Sequence, residues 1–493
     1  MDTQNNNINL FALTDCHQEA RKLCQLFSGI IRRVPQNGKN TLICDCGDLF
    51  KGIYDRNLCV DSYLQLRQQL PEAKIVLALG NNDFGFNAES FDFLKQTAKR
   101  FNQANIHLLC ANLRDIDTDT YPQWVDPYIL LDINQKKFLV TAFCVNYIRL
   151  QKYGLYLEKI SDAFLRLKET IKYIQPDACI ILNHALMPSS LELRHLADEN
   201  EIPLDLILGG HEHESLAPDT YNHIYYPAAF SRTALHFNMQ FYSDTRCRIE
   251  LTETINCKQE DVLPPFVPAL DAYEKKVGLN LPIAPSTLNL ERRYADPCAI
   301  GTFIADLMKN AAKADVGLIS TGYIIHALRY EHGKILTHYN VERAFSAKTP
   351  LQTITVHPAD LKNIFDNALR NRYILLSGNT RFLQASQNIT VDCICREDKQ
   401  CVVRQIYLNN EPLLGDDGKP LHPEDSITCA IDPFIGSGEL GFETFKAYPK
   451  ETLMKNNRLV YIKDLFFKAV KDAPKKYAEG TSYPAYKIID ENI

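Results

Sequence analysis

No apolar run in this 493-residue chain approaches the ~18 residues that a membrane-spanning helix needs, so no span is expected. The opening, MDTQNNNINLFALTD, has no basic stretch leading into a long apolar one, so no leader peptide is expected. Positive charge is not in excess: 54 Lys and Arg stand against 60 Asp and Glu, a formal net charge of −6. That balance argues against a protein that coats nucleic acid, while leaving room for a small phosphate ligand held through metal. No Cys-x-x-Cys pair with zinc-finger spacing occurs, and there is no internal repeat or low-complexity tract. The 15 cysteines are odd in number and scattered, and Cys44, Cys46, Cys144 and Cys179 sit inside apolar, strand-like runs. Such thiols read as small core hydrophobes of a reducing compartment rather than a disulfide framework. The expected location is the cytoplasm; export without a leader would leave the same trace.

What the chain does have is 45% hydrophobic and 23% charged residues, the balance of a globular protein with large cores, and length enough for two or three domains. Its first half repeats one grammar, in which a short apolar run rich in β-formers ends abruptly in a polar cluster. The runs are INLFALTDCH (8–17), TLICDCGD (41–48), KIVLALGNND (74–83), ACIILNHA (178–185) and LDLILGGHEH (204–213). Between them lie helical patterns such as QEARKLCQLFSGIIRRV (18–34) and ESFDFLKQTAKRFNQ (89–103). Buried strands alternating with amphipathic helices predict an α/β layered fold. The polar clusters then fall at the carboxyl ends of strands, where open α/β sheets hold ligands. Near 255–280 the pattern breaks, and prolines surround a short helical stretch. A second mixed α/β segment follows. The expected organisation is a domain over 1–255, a linker helix over 256–280, a second domain over 281–450 and a helical tail over 451–493.

In order, the clusters supply Asp15-x-His17, Gly47-Asp48, Gly80-Asn81, Asn183-His184 and Gly210-His211-Glu212-His213. Two divalent cations held ~3.5–4 Å apart need a bridging carboxylate, terminal histidine and aspartate ligands and often an amide oxygen. Asp48 suits the bridge. Asp15, His17 and His213 complete one site, and Asn81, His184 and His211 the other. Alternate residues of an extended segment project the same way, so both members of D-x-H and of H-x-H aim at one centre. Taken singly each is ordinary: a strand-end turn aspartate, a satisfied buried histidine, GD and GN as turn formers. Coincidence at five strand ends is not ordinary, and a centre of two divalent metal ions is the expectation. Mixed His, Asp and Asn donors suit Zn, Mn or Fe without choosing among them.

The order and spacing of these blocks resemble the calcineurin-like metallophosphoesterases, in the branch of the 5′-nucleotidases, 2′,3′-cyclic phosphodiesterases and UDP-sugar hydrolases. LTDCHQEARKL is similar to the family's first metal block, CDCGDLFKG to its GD block, and LLCANL (108–113) to a short motif after its third block. FLQAS (382–386) is similar to the FLQ motif of its substrate domain, and IDPFIGSGELGF (431–442) to its DFLxxGGDG-aromatic motif. The likeness covers the chain up to about 450. It implies an N-terminal four-layer α/β/β/α sandwich carrying the metals and a C-terminal α/β nucleoside-binding domain. It also implies an active site between the two, with domain movement, and hydrolysis of a nucleotide phosphate ester by water activated between the cations. By the same likeness Phe382 and Phe442 sandwich the base, a contact worth ~1–3 kcal/mol per stacked base.

The chain departs from the family in its third block, GNHEFD there and Gly80-Asn81-Asn82-Asp83-Phe84-Gly85 here. The metal-ligand asparagine is kept as Asn81. The place of the catalytic histidine is Asn82, and that of its carboxylate partner is Gly85. Losing a proton donor costs ~10²–10⁴-fold in rate. Asn82 still donates a hydrogen bond without delivering a proton; the candidate stand-ins are Asp83 next to it, at a place where the family has a glutamate without a catalytic role, and, farther along the chain, His223 and His326. Asn82 and Asp83 are therefore the candidate catalytic residues. The family's NGGGIR loop reads STGYIIHAL (320–328), with His326 at the arginine place as a candidate substrate contact, and its PFxN stretch reads SAKT (346–349). Arg329, Lys348 and Arg381 are candidate replacements for the lost guanidinium. The expectation is an active hydrolase of altered efficiency or specificity, binding a nucleotide or nucleoside phosphate and neither a nucleic-acid polymer nor a membrane; oligomeric state is left open. One alternative is a pseudoenzyme, a metal-stabilised nucleotide-binding or protein-interaction module. A weaker one is a hydrolase of sulfur-containing esters on the same scaffold.

Overall fold

The apolar runs become strands and the amphipathic stretches between them become helices. The structure is a computed structural model that describes residues 7–490 except 53, 86–87, 146–147, 214–215, 243–246, 286–296, 325–334, 346–348, 375–381, 396–400, 439–441 and 473–485. The chain divides into two compact units, Met1–Tyr273 and Glu274–Ile493.

The first unit runs β1 (Ile8–Leu13), α1 (Ala20–Arg33), β2 (Thr41–Asp45), α2 (Arg56–Gln69), β3 (Lys74–Ala78), α3 (Ala88–Gln103), β4 (Ile106–Leu109), β5 (Leu113–Asp115), β6 (Tyr128–Ile133), β7 (Lys136–Cys144), β8 (Leu155–Leu157), α4 (Ile160–Ile174), β9 (Ala178–His184), α5 (Met187–Glu199), β10 (Leu206–Gly210), β11 (Ile224–Tyr225), β12 (Thr233–Gln240) and β13 (Arg248–Asn256). One sheet has the order β13-β12-β1-β2-β3-β4, the other β11-β10-β9-β7-β6. The alternation of each strand sorts its side chains between two layers. Ile8, Leu10 and Ala12 of β1 share one core with Phe138, Val140 and Ala142 of β7 and with Ile180 and Leu182 of β9, so the sheets pack face to face. On the far side of the second sheet, Leu139, Phe143, Cys179 and Ile181 pack against Phe164, Leu167 and Ile171 of α4 and Leu193 of α5. On the far side of the first, rings of α1, α2 and α3 meet edge to face, Phe27 with Tyr63 and Tyr63 with Phe101, and the Tyr63 hydroxyl donates to Asp45 at the end of β2. The result is the expected α/β/β/α sandwich. β1, β2 and β3 are mutually parallel, as are β7, β9 and β10, so their carboxyl ends gather along one edge.

The helix α6 (Val267–Val277) carries the division between the units. The second unit runs β14 (Pro282–Pro285), α7 (Ala299–Ala312), β15 (Val316–Ser320), β16 (Ile335–Thr337), α8 (His338–Arg343), β17 (Gln352–Val356), α9 (Pro358–Ile374), β18 (Leu383–Ala385), β19 (Ile389–Cys395), β20 (Cys401–Leu408), β21 (Glu411–Pro412), β22 (Ile427–Ile431), α10 (Pro433–Gly436), β23 (Glu451–Thr452), β24 (Met454–Lys455), β25 (Arg458–Leu459), α11 (Ile462–Asp472) and β26 (Tyr486–Asp490). Its sheets have the orders β18-β15-β22-β17-β23 and β21-β20-β19-β26. The stretch 451–493 is expected as a helical tail; its described residues instead pair and pack within this unit. β23 pairs with β17, β26 pairs in parallel with β19, and Phe466 of α11 meets Phe303 of α7 at 5.7 Å between ring centroids. The physical reason is the apolar face Ile462, Phe466 and Val470, spaced by one helical turn and buried against α7.

Among the described residues no helix is long and apolar enough to cross a membrane. Among the described residues, thirteen cysteines stand outside any disulfide, all buried but Cys247, in keeping with core thiols, whereas Cys401 is disulfide-bonded.

Candidate metal centre

Each predicted donor follows the end of a strand. Asp15 and His17 follow β1, Asp48 follows β2, Asn81 follows β3, His184 ends β9, and His211 and His213 follow β10. Four of these residues turn through the left-handed region, Asp15 at φ 47°, His17 at 46°, Asp48 at 60° and His211 at 74°. Side chains resist that conformation, and a cluster of it marks a site that the surrounding fold must hold in place. Here the holding is done by backbone bonds: the amides of Asp15, His17 and Gln18 donate to the carbonyls of Gly47, Asp48 and Leu49 at 2.9, 2.9 and 3.0 Å. The first two blocks are thus one laced structure.

The structure brings all seven predicted ligands together. Donor atoms of Asp15, His17, Asp48 and His213 lie within 4.8 Å of one another, as do those of Asp48, His184 and His211. Asp48 belongs to both groups: its Oδ2 is 3.5 Å from His17 Nε2 and 3.4 Å from His184 Nε2. Asn81 Oδ1 is 3.3 Å from His184 Nε2. The Nε2 atoms of His17 and His213 are 3.1 Å apart, and each is near Asp15 Oδ1, at 3.6 and 3.5 Å. Two imidazole ligands of one cation at the usual bond lengths stand about 2.9–3.4 Å apart. His184 is fixed in orientation by its Nδ1, which donates to the Cys46 carbonyl at 2.7 Å and leaves Nε2 facing the cluster.

The residues fit a divalent metal on further grounds. Asp15 is fully buried; its Oδ2 accepts from Thr14 Oγ1 and from the amide of His211 at 2.6 and 2.9 Å, but its Oδ1 has no hydrogen-bond partner. A buried, unpartnered carboxylate oxygen facing two imidazole nitrogens is what a cation resolves. Burial acts to raise both carboxyls, but the histidines override it: His17 and His213 hold Asp15 well below the usual carboxylate range, and His184 does the same for Asp48. Burial acts to lower His184, but Asp48 overrides it and raises the imidazole to about 10. His211 is lowered to about 4 by burial and by the neighbouring His184.

The candidate catalytic pair divides. Asn82 is at the cluster: its amide N–H and Nδ2 donate to Asp48 Oδ1 and Oδ2 at 2.8 and 2.5 Å. Asp83 is not available as a stand-in for the dyad. It is 4% exposed, and its oxygens accept from the amides of Asp48 and Phe50, each at 3.0 Å, and of Gly80 at 2.8 Å. It clips the GD loop to the GN loop. Burial, and then the Asp48 carboxylate, push it up to about 7.

The base clamp is also corrected. Phe382 and Phe442 are both 0% exposed and belong to one apolar core of the second unit, Phe382 against Tyr486 and Phe442 near Phe445. Rings so covered offer no face to a base. Neighbouring motif positions likewise serve the fold: Asp432 caps α10 by accepting from the amides of Phe434 and Ile435, and Thr321 donates to the Phe382 carbonyl at 2.8 Å. His326, Arg329, Lys348 and Arg381 lie outside the described residues.

Two residues at the centre escaped sequence reasoning. Phe230 lies 5.1 Å from His17 and 4.8 Å from His213 between ring centroids, and its amide donates to the Asp15 carbonyl at 2.6 Å; no local pattern marks it. Lys51 donates from Nζ to Asn82 Oδ1 at 2.9 Å; its place in the GD block was a signal in plain sight.

Comparison with known proteins agrees with this geometry. A model described as calcineurin-like phosphoesterase matches residues 8–215, and one described as 5′-nucleotidase, C-terminal domain matches residues 277–447. No curated protein matches the chain significantly. Among solved structures, a 5′-nucleotidase precursor from Thermus thermophilus is similar at 15% identity and a TM-score of 0.73, covering 99% of this chain and 100% of that one. The sulfate thiohydrolase SoxB of Thermus thermophilus is similar at 13% identity and 0.68, covering 98% and 96%. The 5′-nucleotidase of Candida albicans is similar at 12% and 0.65, covering 94% and 98%.

Proposed function

The chain belongs to the two-domain calcineurin-like phosphoesterases with a 5′-nucleotidase C-terminal domain and is a metal-dependent hydrolase of that kind; from this premise we propose that it hydrolyses the phosphate ester of a nucleotide, using two divalent cations. Asp15, His17, Asp48 and His213 hold one, and Asp48, Asn81, His184 and His211 hold the other. The reading is carried by Asp48 Oδ2, which stands within 3.5 Å of an imidazole from each group. Cations held there supply Lewis acidity toward the phosphoryl oxygens and toward water. The chain's own residues do the positioning. The Cys46 carbonyl aims His184, Phe230 covers one side of His17 and His213, and Asn82 steadies Asp48.

Within the loop 80–85 no side chain passes a proton to the leaving oxygen, since Asn82 is an amide and Asp83 is turned onto backbone donors. Esters of acidic alcohols therefore suffer least from the missing dyad. The nucleotide as substrate is supported by the likeness to 5′-nucleotidases and not by Phe382 and Phe442. The same substitution at position 82 favours a second reading, a module that holds metal and nucleotide without turnover.

The test is to load the protein with Mn²⁺ or Zn²⁺ and follow p-nitrophenyl phosphate, AMP and 2′,3′-cyclic AMP. Turnover should be fastest on the nitrophenyl ester and fall at least ~10³-fold in Asp48→Asn, the loss of several kcal/mol of charge stabilisation. Metal bound without turnover on any ester selects the second reading. Elemental analysis that finds no metal, with none taken up on addition, overturns both.

A further inference from the structure

The place vacated by the family's dyad is filled by another arrangement. Lys51 lies three residues after Asp48, with its backbone in the left-handed region at φ 72°. The loop carrying it is laced to the first metal block by the bonds from Asp15, His17 and Gln18. Gly52 fastens the loop further: a Cβ there would overlap the His17 carbonyl oxygen, and its amide donates to Gln18 Oε1 at 2.5 Å. Lys51 is therefore a half-buried cation on rigid backbone. Its Nζ donates to Asn82 Oδ1 at 2.9 Å, while Asn82 Nδ2 donates to Asp48 Oδ2 at 2.5 Å. An amide has one accepting and one donating end, and these two partners fix which is which.

An ammonium placed beside a metal centre adds to the attraction of that centre for an anion. Among the described groups, the Asp15 and Asp48 carboxylates with two divalent cations would sum to about +2, and Lys51 would add one positive charge. A phosphate monoester dianion offsets most of that charge, and a diester monoanion much less.

Resting on the proposed hydrolase reading, we propose that Lys51, aimed by Asn82, is the residue with which this chain grips the phosphoryl group, in place of the imidazole and carboxylate at positions 82 and 85, and that it selects dianionic phosphate monoesters. Lys51 is a substrate contact, and Asn82 is a positioning residue that acts through it.

The experiment titrates inorganic phosphate into the full-length, Mn²⁺-loaded protein by calorimetry, with manganese content measured on each sample. Wild type is compared with Lys51→Met, Lys51→Arg and Asn82→Ala, and KM and kcat are followed on p-nitrophenyl phosphate and on bis(p-nitrophenyl) phosphate. Lys51→Met should weaken phosphate binding by about 10- to 100-fold, the span of one charge-assisted hydrogen bond, at unchanged manganese content. Its monoester KM should rise more than its diester KM. Lys51→Arg should restore most of the affinity, and Asn82→Ala should lose part of it. Phosphate affinity unchanged in Lys51→Met overturns the inference while leaving the hydrolase reading intact. So does loss of manganese in Lys51→Met, which would make Lys51 a prop for Asp48. Wild type that holds manganese but neither binds phosphate nor turns over any ester overturns both. If Lys51→Met does not fold, Lys51→Gln against Lys51→Arg poses the same comparison.

Discussion

Replacing Asp83 by alanine separates a structural role from a catalytic one. The carboxylate accepts three backbone N–H bonds, from Asp48, Phe50 and Gly80, at 3.0, 3.0 and 2.8 Å, in a site only 4% exposed. Alanine leaves all three donors buried and unsatisfied, at about 1–3 kcal/mol each. Water entering the vacated volume recovers part of this, and the carboxylate's own burial cost is relieved, so the net expected loss is roughly 3–4 kcal/mol. In a unit of this size that lowers the melting temperature by about 6–16 °C. Asparagine should do less harm. Its amide can place the oxygen toward Asp48 and Gly80 and sacrifice only the bond to Phe50, a loss of about 1–2 kcal/mol. Because Asp83 supports the loop bearing Asp48 from outside the ligand set, manganese affinity in Asp83→Ala should fall about 10- to 100-fold. Thermal melting, calorimetric metal titration and p-nitrophenyl phosphate turnover on the same preparations decide the matter. Asp83→Ala that melts like wild type, holds metal normally and yet loses turnover would refute the structural role and return Asp83 to the catalytic position its sequence neighbourhood suggests.

Rebuilding the dyad should fail at position 85 before it is tested at 82. Gly85 has φ 68°, and a Cβ there would overlap Ser90 Cβ, so Gly85→Asp should destabilise by at least ~1–3 kcal/mol from backbone strain alone, read by chemical denaturation; Asn82→His should fold normally. Phe382→Ala and Phe442→Ala should each destabilise the second unit by about 3–5 kcal/mol, the cost of emptying a packed core position, without a selective rise in KM for nucleotides over p-nitrophenyl phosphate; a KM effect at unchanged stability would reinstate the clamp. Stripping metal with a chelator should lower the melting temperature, and readdition at about 100 times Kd should restore ~2.7 kcal/mol. A melting curve indifferent to chelator would show that the buried carboxylates are balanced without metal.

The parts of the centre that could be read from the sequence are those whose chemistry and position coincide. A strand of apolar residues ending in Asp-x-His or His-x-His states both what the donors are and where they lie, because the strand end is a fixed place in a layered fold. Parallel pairing of β1 with β2, of β2 with β3, and of β9 with β10 then brings those ends to one edge, as the helices between them require. The α/β/β/α layering follows from the same alternation. The second unit was less legible. Phe382 meets Tyr486 of the last strand, a contact across about a hundred residues that no motif encodes, and the motif's letters are the same whether the ring faces a ligand or a core. The fate of the stretch 451–493 turned on the apolar face of α11, visible in the sequence but without its partner in α7.

Asn82 and Asp83 sharpen the point. Both are short, polar and adjacent to a ligand, so composition ranks the carboxylate as the better chemical agent. The turn decides otherwise. The Asp83 amide donates to the Gly80 carbonyl at 3.2 Å, which closes the loop with Asp83 inward, over amides that have no other acceptor among the described bonds than its carboxylate. Asn82 is left on the side of Asp48 and Lys51. Backbone donors carry no residue signature, so a sequence does not announce which side chain they will capture. In a site built from strand ends, spacing selects the atoms able to converge, and competition from loop amides selects which of them remain available for chemistry. That competition gives Asp83 to the fold and leaves the work of meeting the phosphate to a lysine that the GD block displayed from the start.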